Sequence, residues 1–386
     1  MSLIKEGDFE ELVPEALNVF TLPPYQSSVQ SHYFIQNRPI SQINDTTPLE
    51  FKVSNSGADY IDLKRTRLHL KVKVTQADGN TDLAAEENVA PVNLFMQTLF
   101  SQVSVYLQNE LVSSTNNYYP YKSMMKALLG YGAEAKQTQL TTQLFYKDYA
   151  ESDRDLESSD VTGSLNSGMM TRAGFIEQSK ELTLCGPPLR RRLQNESSPG
   201  QRGGHDRENT SNAYPYVKSE VKVTSIPSTE QSHTIDNLSS PVASRYIVGL
   251  VESASLNSSL TGNPFNFKSS MVKKITLSID GNSVPGQPTE ADDIATYVSM
   301  LDGMGLWNED KGNHITRSEF LLGNALFVFD LDKICSDSEY LNLVKSGDVK
   351  LHLEFKAALT STLSCIVLSQ RNSLIEIDQA RNVFVK

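Results

Sequence analysis

Val103, Val105 and Leu107 alternate with Ser104 and Tyr106, and an apolar residue at every second position predicts a strand with one buried face. Gln108-Asn109-Glu110 turns the chain and Leu111-Val112 begins a return strand. A polar stretch leads to Pro120, placed where a first helical residue tolerates the missing N–H, ahead of Tyr121, Met124, Leu128 and Leu129 on one helical face. The stretch 93–132 therefore predicts a hairpin feeding a helix. The same order recurs downstream, where Ile275, Leu277 and Ile279 alternate, Asp280-Gly281 is a hairpin-turn signal and Val284 returns. Tyr297-Val298-Ser299-Met300 follows where the first unit has Tyr121-Lys122-Ser123-Met124, and Asn93-Leu94 and Asn266-Phe267 stand upstream of the two strands. Such a recurrence points to an internal duplication and two similar domains.

The rest of the pattern is strand-rich. Residues 48–53 alternate, residues 60–63 lead into Leu68, Leu70, Val72 and Val74, and Ala77-Asp78-Gly79-Asn80 marks a turn before an acidic, exposed loop to Glu87. Residues 133–145 are polar and helix-friendly, and 147–168 form a surface excursion with little to bury. Further strands are expected at 217–223, 246–251, 325–330, 349–355 and 363–368, with 375–377 after them, and a helix from about Thr289 to Met304. Short strands, long loops and few helices predict an all-β chain of β-sandwiches, and jelly rolls are the sandwich type that hosts large insertions.

Length and charge narrow the function. The 386 residues, 39% of them hydrophobic, suffice for two cores. With a net charge of -11 and no basic block beyond Arg190 to Arg192, direct nucleic-acid binding is not expected. No apolar run is long enough to span a membrane, and the acidic start lacks a signal-peptide core, so a non-secreted chain is expected. Cys185, Cys335 and Cys365 are odd in number and far apart, which suits free thiols. Cys365, inside LSCIVL, is expected in the core.

Candidate chemistry is sparse. Phosphate-loop, zinc-protease, nucleophile-elbow and paired-cysteine motifs do not occur. His69 and His352 occupy polar positions of alternating strands and are expected to face solvent. Asp292 and Asp293 fit the first turn of a helix, Asp330 and Asp332 end a strand, and Trp307 is expected to pack. No catalytic residue, metal ligand or cofactor is assigned, and no enzyme is expected.

Residues 186–212 are foreign to this pattern, with no periodicity in PPLRRRLQNESSPGQRGGHDRENTSN. Residues 195–209 can be encoded so that the string read one base later gives TNRLLVNGVDMTVK, a strand, an Asn-Gly turn and a strand. The segment is therefore expected to be an out-of-frame or mis-spliced replacement of strands of the first domain.

PLEFKVSNSGADYIDLKRTRLHLKVKV, VNLFMQTLFSQVSVYLQNELV, NAYPYVKSEVKV, NPFNFKSSMVKKITLSIDGNSVP, GNALFVFDLD and IEIDQARNVFVK, taken in order, resemble the capsid proteins of Polinton (Maverick) elements and adintoviruses, most of all the major, hexon-type protein. The resemblance implies a double jelly roll assembling as a homotrimer into pseudo-hexagonal capsomers of an icosahedral shell. It also implies contacts with neighbouring capsomers and a minor capsid protein, and a place in the virion after synthesis in the host cytoplasm or nucleus. The corresponding domains are an arm at 1–30, a first jelly roll at 31–212, incomplete at 186–212, and a second at 213–386. Val103, Val105 and Leu107 are expected in the first core and Ile275, Leu277 and Ile279 in the second, with capsomer contacts in the loops after Lys147 and around 262–267. A minor, penton-type capsid protein and a jelly-roll carbohydrate-binding module are the alternatives.

Overall fold

The computed structural model describes residues 31–44, 47–54, 61–85, 87–113, 115–149, 166–188, 211–256, 262–331, 345–378, 380 and 382–385, and the chain divides between Asp62 and Leu63 into two units. In the first unit the Ile40 amide donates to the Glu50 carbonyl at 2.8 Å and the Ser41 hydroxyl to the Pro48 carbonyl at 3.0 Å. The strand expected at 48–53 does not form. Alternation alone does not make a strand where the ladder has no partner segment.

The second unit begins with β1 (Leu68–Val72), the one-turn helix α1 (Phe95–Thr98), the hairpin strands β2 (Val105–Leu107) and β3 (Glu110–Ser113), helices α2 (Tyr119–Gly130), α3 (Ala133–Gln137) and α4 (Ser167–Ile176), and β4 (Leu182–Gly186). Antiparallel pairing joins β1 to β4 and β2 to β3. Leu83, Met96, Leu144, Ile176, Leu182 and Leu184 form a small core against Leu68 and Leu70. Helix α4 and strand β4 lie where no element was expected: Gly168 and Gly174 weaken the helical pattern and β4 is a five-residue strand.

The chain continues with β5 (Ser211–Ile226), β6 (Ser232–Ile235), β7 (Arg245–Glu252), the one-turn helix α5 (Ser253–Leu256), β8 (Val272–Ile279), β9 (Asn282–Glu290), helices α6 (Ile294–Gly303) and α7 (Arg317–Leu321), β10 (Leu326–Asp330), β11 (Val349–Phe355), β12 (Leu363–Asp378) and β13 (Val383–Val385). Strands in the order β10-β7-β12-β5 form one sheet and β6-β11-β8-β9 the other, while β13 pairs with the far end of β12. This is the eight-strand arrangement of a jelly roll.

The residues explain which strand sits where. In β11 Val349, Leu351, Leu353 and Phe355 are buried while Lys350, His352 and Glu354 are half-buried, the pleat of a strand with one sealed face. Strand β7, YIVGLV at its centre, is buried at every position from Tyr246 to Val251, so it is packed on both faces. Residues 363–368 and 375–377 belong to one strand, because β5 pairs with β12 along all 16 of its residues and carries the polar Gln370, Arg371 and Asn372 within the ladder. Helix α6 starts at Asp293, whose carboxylate accepts from the Ala295 amide at 3.0 Å. Asp293→Ala is expected to lower stability by about 1 kcal/mol in urea unfolding, the usual worth of an acidic N-cap.

Candidate functional site

The two hairpin-and-helix units are alike in backbone as well as in sequence. Gln108 and Asn109 have φ of 48° and 72°, and Asp280 and Gly281 have 49° and 84°, so both hairpins turn through two left-handed residues as primed turns require. In each unit the chain then comes back to the residue after the upstream asparagine. The Leu94 amide donates to the Leu144 carbonyl at 3.2 Å, and the Phe267 amide donates to the Gly323 carbonyl at 2.9 Å. Asn93 and Asn266 are both buried. The Asn93 side-chain oxygen accepts from the Leu94 and Tyr146 amides at 2.9 and 3.0 Å, whereas the Asn266 side chain has no such partners. Helices α2 and α6 bury Met124 and Met300 at matching places, and Tyr121 and Tyr297 stack edge-on against Phe265 and Phe320 with ring centroids 5.5 and 5.8 Å apart.

Ile275 and Leu277 are sealed in the second sandwich and Ile279 is half-buried at its rim. Val103, Val105 and Leu107 are all half-buried. Val105 and Leu107 sit on a hairpin whose strands pair only with each other among the described residues, so one sheet face is less fully covered than in the eight-strand sandwich. Val103 precedes the strand, its amide donating to the Thr115 hydroxyl at 2.8 Å. Tyr106 and Leu111 on the same hairpin are exposed at 60% and 45%, and Phe384 on β13 at 51%.

Among the described residues, titratable groups do not converge on a reactive centre. The Tyr119 hydroxyl lies against the Gln97 side-chain oxygen and the Pro188 carbonyl, and Gln97 donates to Gln143 at 2.6 Å. Burial pushes the Tyr119 hydroxyl up to about 12. Tyr119, Gln97 and Gln143 line a cleft with Lys122 and Lys126, whose ammonium groups reach the Ser219 carbonyl at 3.4 Å and its hydroxyl at 3.0 Å. Cys365 is fully buried and its thiol is pushed up to about 12 by that burial, which makes it an inert core residue. Among the described residues no three of His, Cys, Asp and Glu are grouped as a metal site, and no helix is long and apolar enough to cross a membrane.

His69 is exposed on β1 with Nε2 3.4 Å from the Cys185 sulfur, and His352 accepts or donates at Nδ1 with the Thr234 hydroxyl at 2.8 Å. Trp307, expected to pack, is 52% exposed in the turn after α6. The loop 262–267 does not present a free surface, because Phe265, Asn266 and Phe267 are buried. Asp332, Cys335, residues 1–30 and residues 189–210 of the anomalous segment lie outside the described residues. The sequence missed the buried Lys136 and the Lys147–Glu319 ion pair at 2.9 Å; a lysine within a polar, helix-friendly stretch, or at the head of an expected surface excursion, carries no signal of burial.

The fold is an all-β double jelly roll. It is shared with a chain from the cryo-EM structure of the Sputnik virophage, with a TM-score of 0.57 at 10% identity over 98% of this chain and 93% of that one. The major capsid protein of mavirus aligns over 99% of this chain and 96% of its own, at 11% identity and a TM-score of 0.39, a likeness too slight to add weight. In sequence, an uncharacterized protein of Caenorhabditis elegans is 23% identical over 389 residues, 88% of this chain and 93% of that protein. No family model matches the chain.

Proposed function

We propose that the chain is the major capsid protein of a Polinton (Maverick) or adintovirus-like element, a structural protein whose trimers form pseudo-hexagonal capsomers of an icosahedral shell. The observation that carries the reading is the pairing of a complete eight-strand jelly roll with a second hairpin-and-helix unit closed by the same backbone hydrogen bond. Two sandwiches per chain make six in a trimer, which is how a three-fold object fills a six-fold lattice position. A penton-type protein resembles a single jelly roll and leaves the first unit unexplained. The fold shared with a chain of a virophage particle and the ordered sequence motifs support the same reading.

In this role the domains are 31–212 and 213–386, preceded by an arm at 1–30. The partners are two further copies, neighbouring capsomers and a minor capsid protein, and the place of action is the virion. No catalytic step, cofactor or direct contact with the genome is part of it. Light scattering on a sizing column tests the assembly. The expected mass is three times the 42.8 kDa chain, and a clean monomer with ordered β signal would favour a binding module instead.

A further inference from the structure

Two lysines from the first half of the second unit reach across to one short segment of the second half. Lys136 on α3 is 3% exposed, and its ammonium donates to the Leu128 carbonyl at the end of α2 (2.7 Å) and to the Asn313 carbonyl (2.5 Å). Lys147 donates to the His314 carbonyl and to both oxygens of Glu319, each at 2.9 Å. Glu319 also accepts from the Thr316 amide and hydroxyl at 2.8 Å, which closes a capping box on α7. Tyr297 on α6 donates to the Ile315 carbonyl at 2.9 Å. Backbones come close here too, since a Cβ on Gly132 would stand 3.4 Å from the Gly312 carbonyl. Among the described residues the buried ammonium of Lys136 meets two carbonyls and no carboxylate, and the carboxylate of Glu319 is committed to Lys147. His314 Nδ1 is buried without a hydrogen bond.

We propose that Lys136, Lys147 and residues 313–319 form a proton-sensitive clasp between the two halves, firmest at alkaline pH and loosened stepwise as the pH falls to neutral and below. The proposal stands on this geometry and does not depend on the capsid reading. Inside the clasp two cations face one anion, so each further proton adds like charge to a closed site. The titratable groups facing it are Lys136, Lys147, His314, Glu319 and Tyr297; Glu134, Lys311 and Arg317 on the same segments are exposed.

The direction follows from proton linkage. Burial, then the charge of Lys147, pulls Lys136 down to about 7 against an ordinary 10.5, with Glu319 opposing. Burial and the two lysine charges also lower His314. Glu319 is lowered as well: burial raises it, but its bonds to Lys147 and Thr316 outweigh that. A group whose value is lower in the closed state than in the open one binds its proton more tightly when open. Closure therefore strengthens as pH rises and weakens as pH falls. For Lys136 the window runs from 10.5 down to about 7. His314 acts below 6.5 and Glu319 below 4.5, with the same sign as Lys136; Tyr297, raised by burial and then by the Glu319 charge, has the opposite sign and acts only above 10.

Hydrogen exchange on the full chain, corrected for intrinsic rates, tests this between pH 9 and 5.5. In segments 128–138 and 313–320 the opening constant is expected to rise on the order of tenfold or more from pH 9 to 7, and again below pH 6.5, while amides of β12 keep their protection. Lys136→Met is expected to remove the first rise. His314→Asn, which tolerates the left-handed φ of 59° at that position, is expected to remove the second. Should Lys136→Met fail to fold, the histidine variant decides alone. Protection independent of pH in the native chain, a native profile retained by the variants, or parallel loss of protection in β12 would overturn the clasp.

Discussion

Leu351→Ala is expected to lower the stability of the second sandwich by about 2–5 kcal/mol, the cost of deleting a fully buried leucine and leaving part of the cavity open. Leu351 has no exposed surface and lies at the centre of β11, paired with Ile235 on β6 and Leu277 on β8, both themselves buried. The three side chains form one row across the sheet. Emptying its middle removes contacts on both sides, and neighbouring strands fixed by their ladders cannot close in. The measurement is urea unfolding, with Leu111→Ala as the control; Leu111 is 45% exposed, so that change is expected to stay within about 0.5 kcal/mol. Equal effects would mean that the row is not the centre of the core. Against the ~5–15 kcal/mol of a typical domain, the expected loss is large enough to lower the yield of folded chain.

Gly249→Val is expected to have a comparable effect by the opposite route. A Cβ on Gly249 would stand 2.6 and 2.9 Å from two ring carbons of Phe267 and 3.1 Å from Leu326. A branched side chain there must displace the ring, and overpacking of this kind costs about 1–3 kcal/mol or more. The ring is not free to move. The Phe267 amide donates to the Gly323 carbonyl, and its carbonyl accepts from the Ala325 amide at 3.0 Å, so the strain passes into the bonds that close the second unit. Pairing Gly249→Val with Phe267→Leu is expected to recover part of the loss in a double-mutant cycle. Strict additivity would show that the two side chains do not meet.

The second sandwich was legible because its strands carry strong local signatures. The alternation of VKLHLEF maps onto the pleat of β11 residue by residue, and the unbroken YIVGLV is what a strand packed on both faces requires. The Asp280-Gly281 turn could be read directly, whereas Gln108-Asn109 was a weaker signal for the same geometry. Signals failed where tertiary context decides. Gln370, Arg371 and Asn372 read as a break, yet the ladder to β5 carries them through. Ser232–Ile235 holds one fully buried apolar residue, Ile235, and is a strand because β11 lies beside it. Trp307 illustrates that size and hydrophobicity do not place a side chain inside. The junction at Lys136 was invisible, since its carbonyl partners belong to residues eight and 177 positions away.

Strand β12 also sets a timetable. It lies between β5 on one edge and β7 on the other, yet it is made 152 residues after its β5 partner begins, as the register of Leu363 with Ile226 and Asp378 with Ser211 implies from 363 minus 211. During synthesis the β7 edge therefore waits for residues 363–370 and the β5 edge for residues 363–378 to leave the ribosome. Such long-range pairing is slow, and open edges on a growing chain invite pairing with neighbouring nascent chains. On a polysome crowded with copies of the same product, the yield of closed sandwiches is governed by how well those two edges are shielded in the interval.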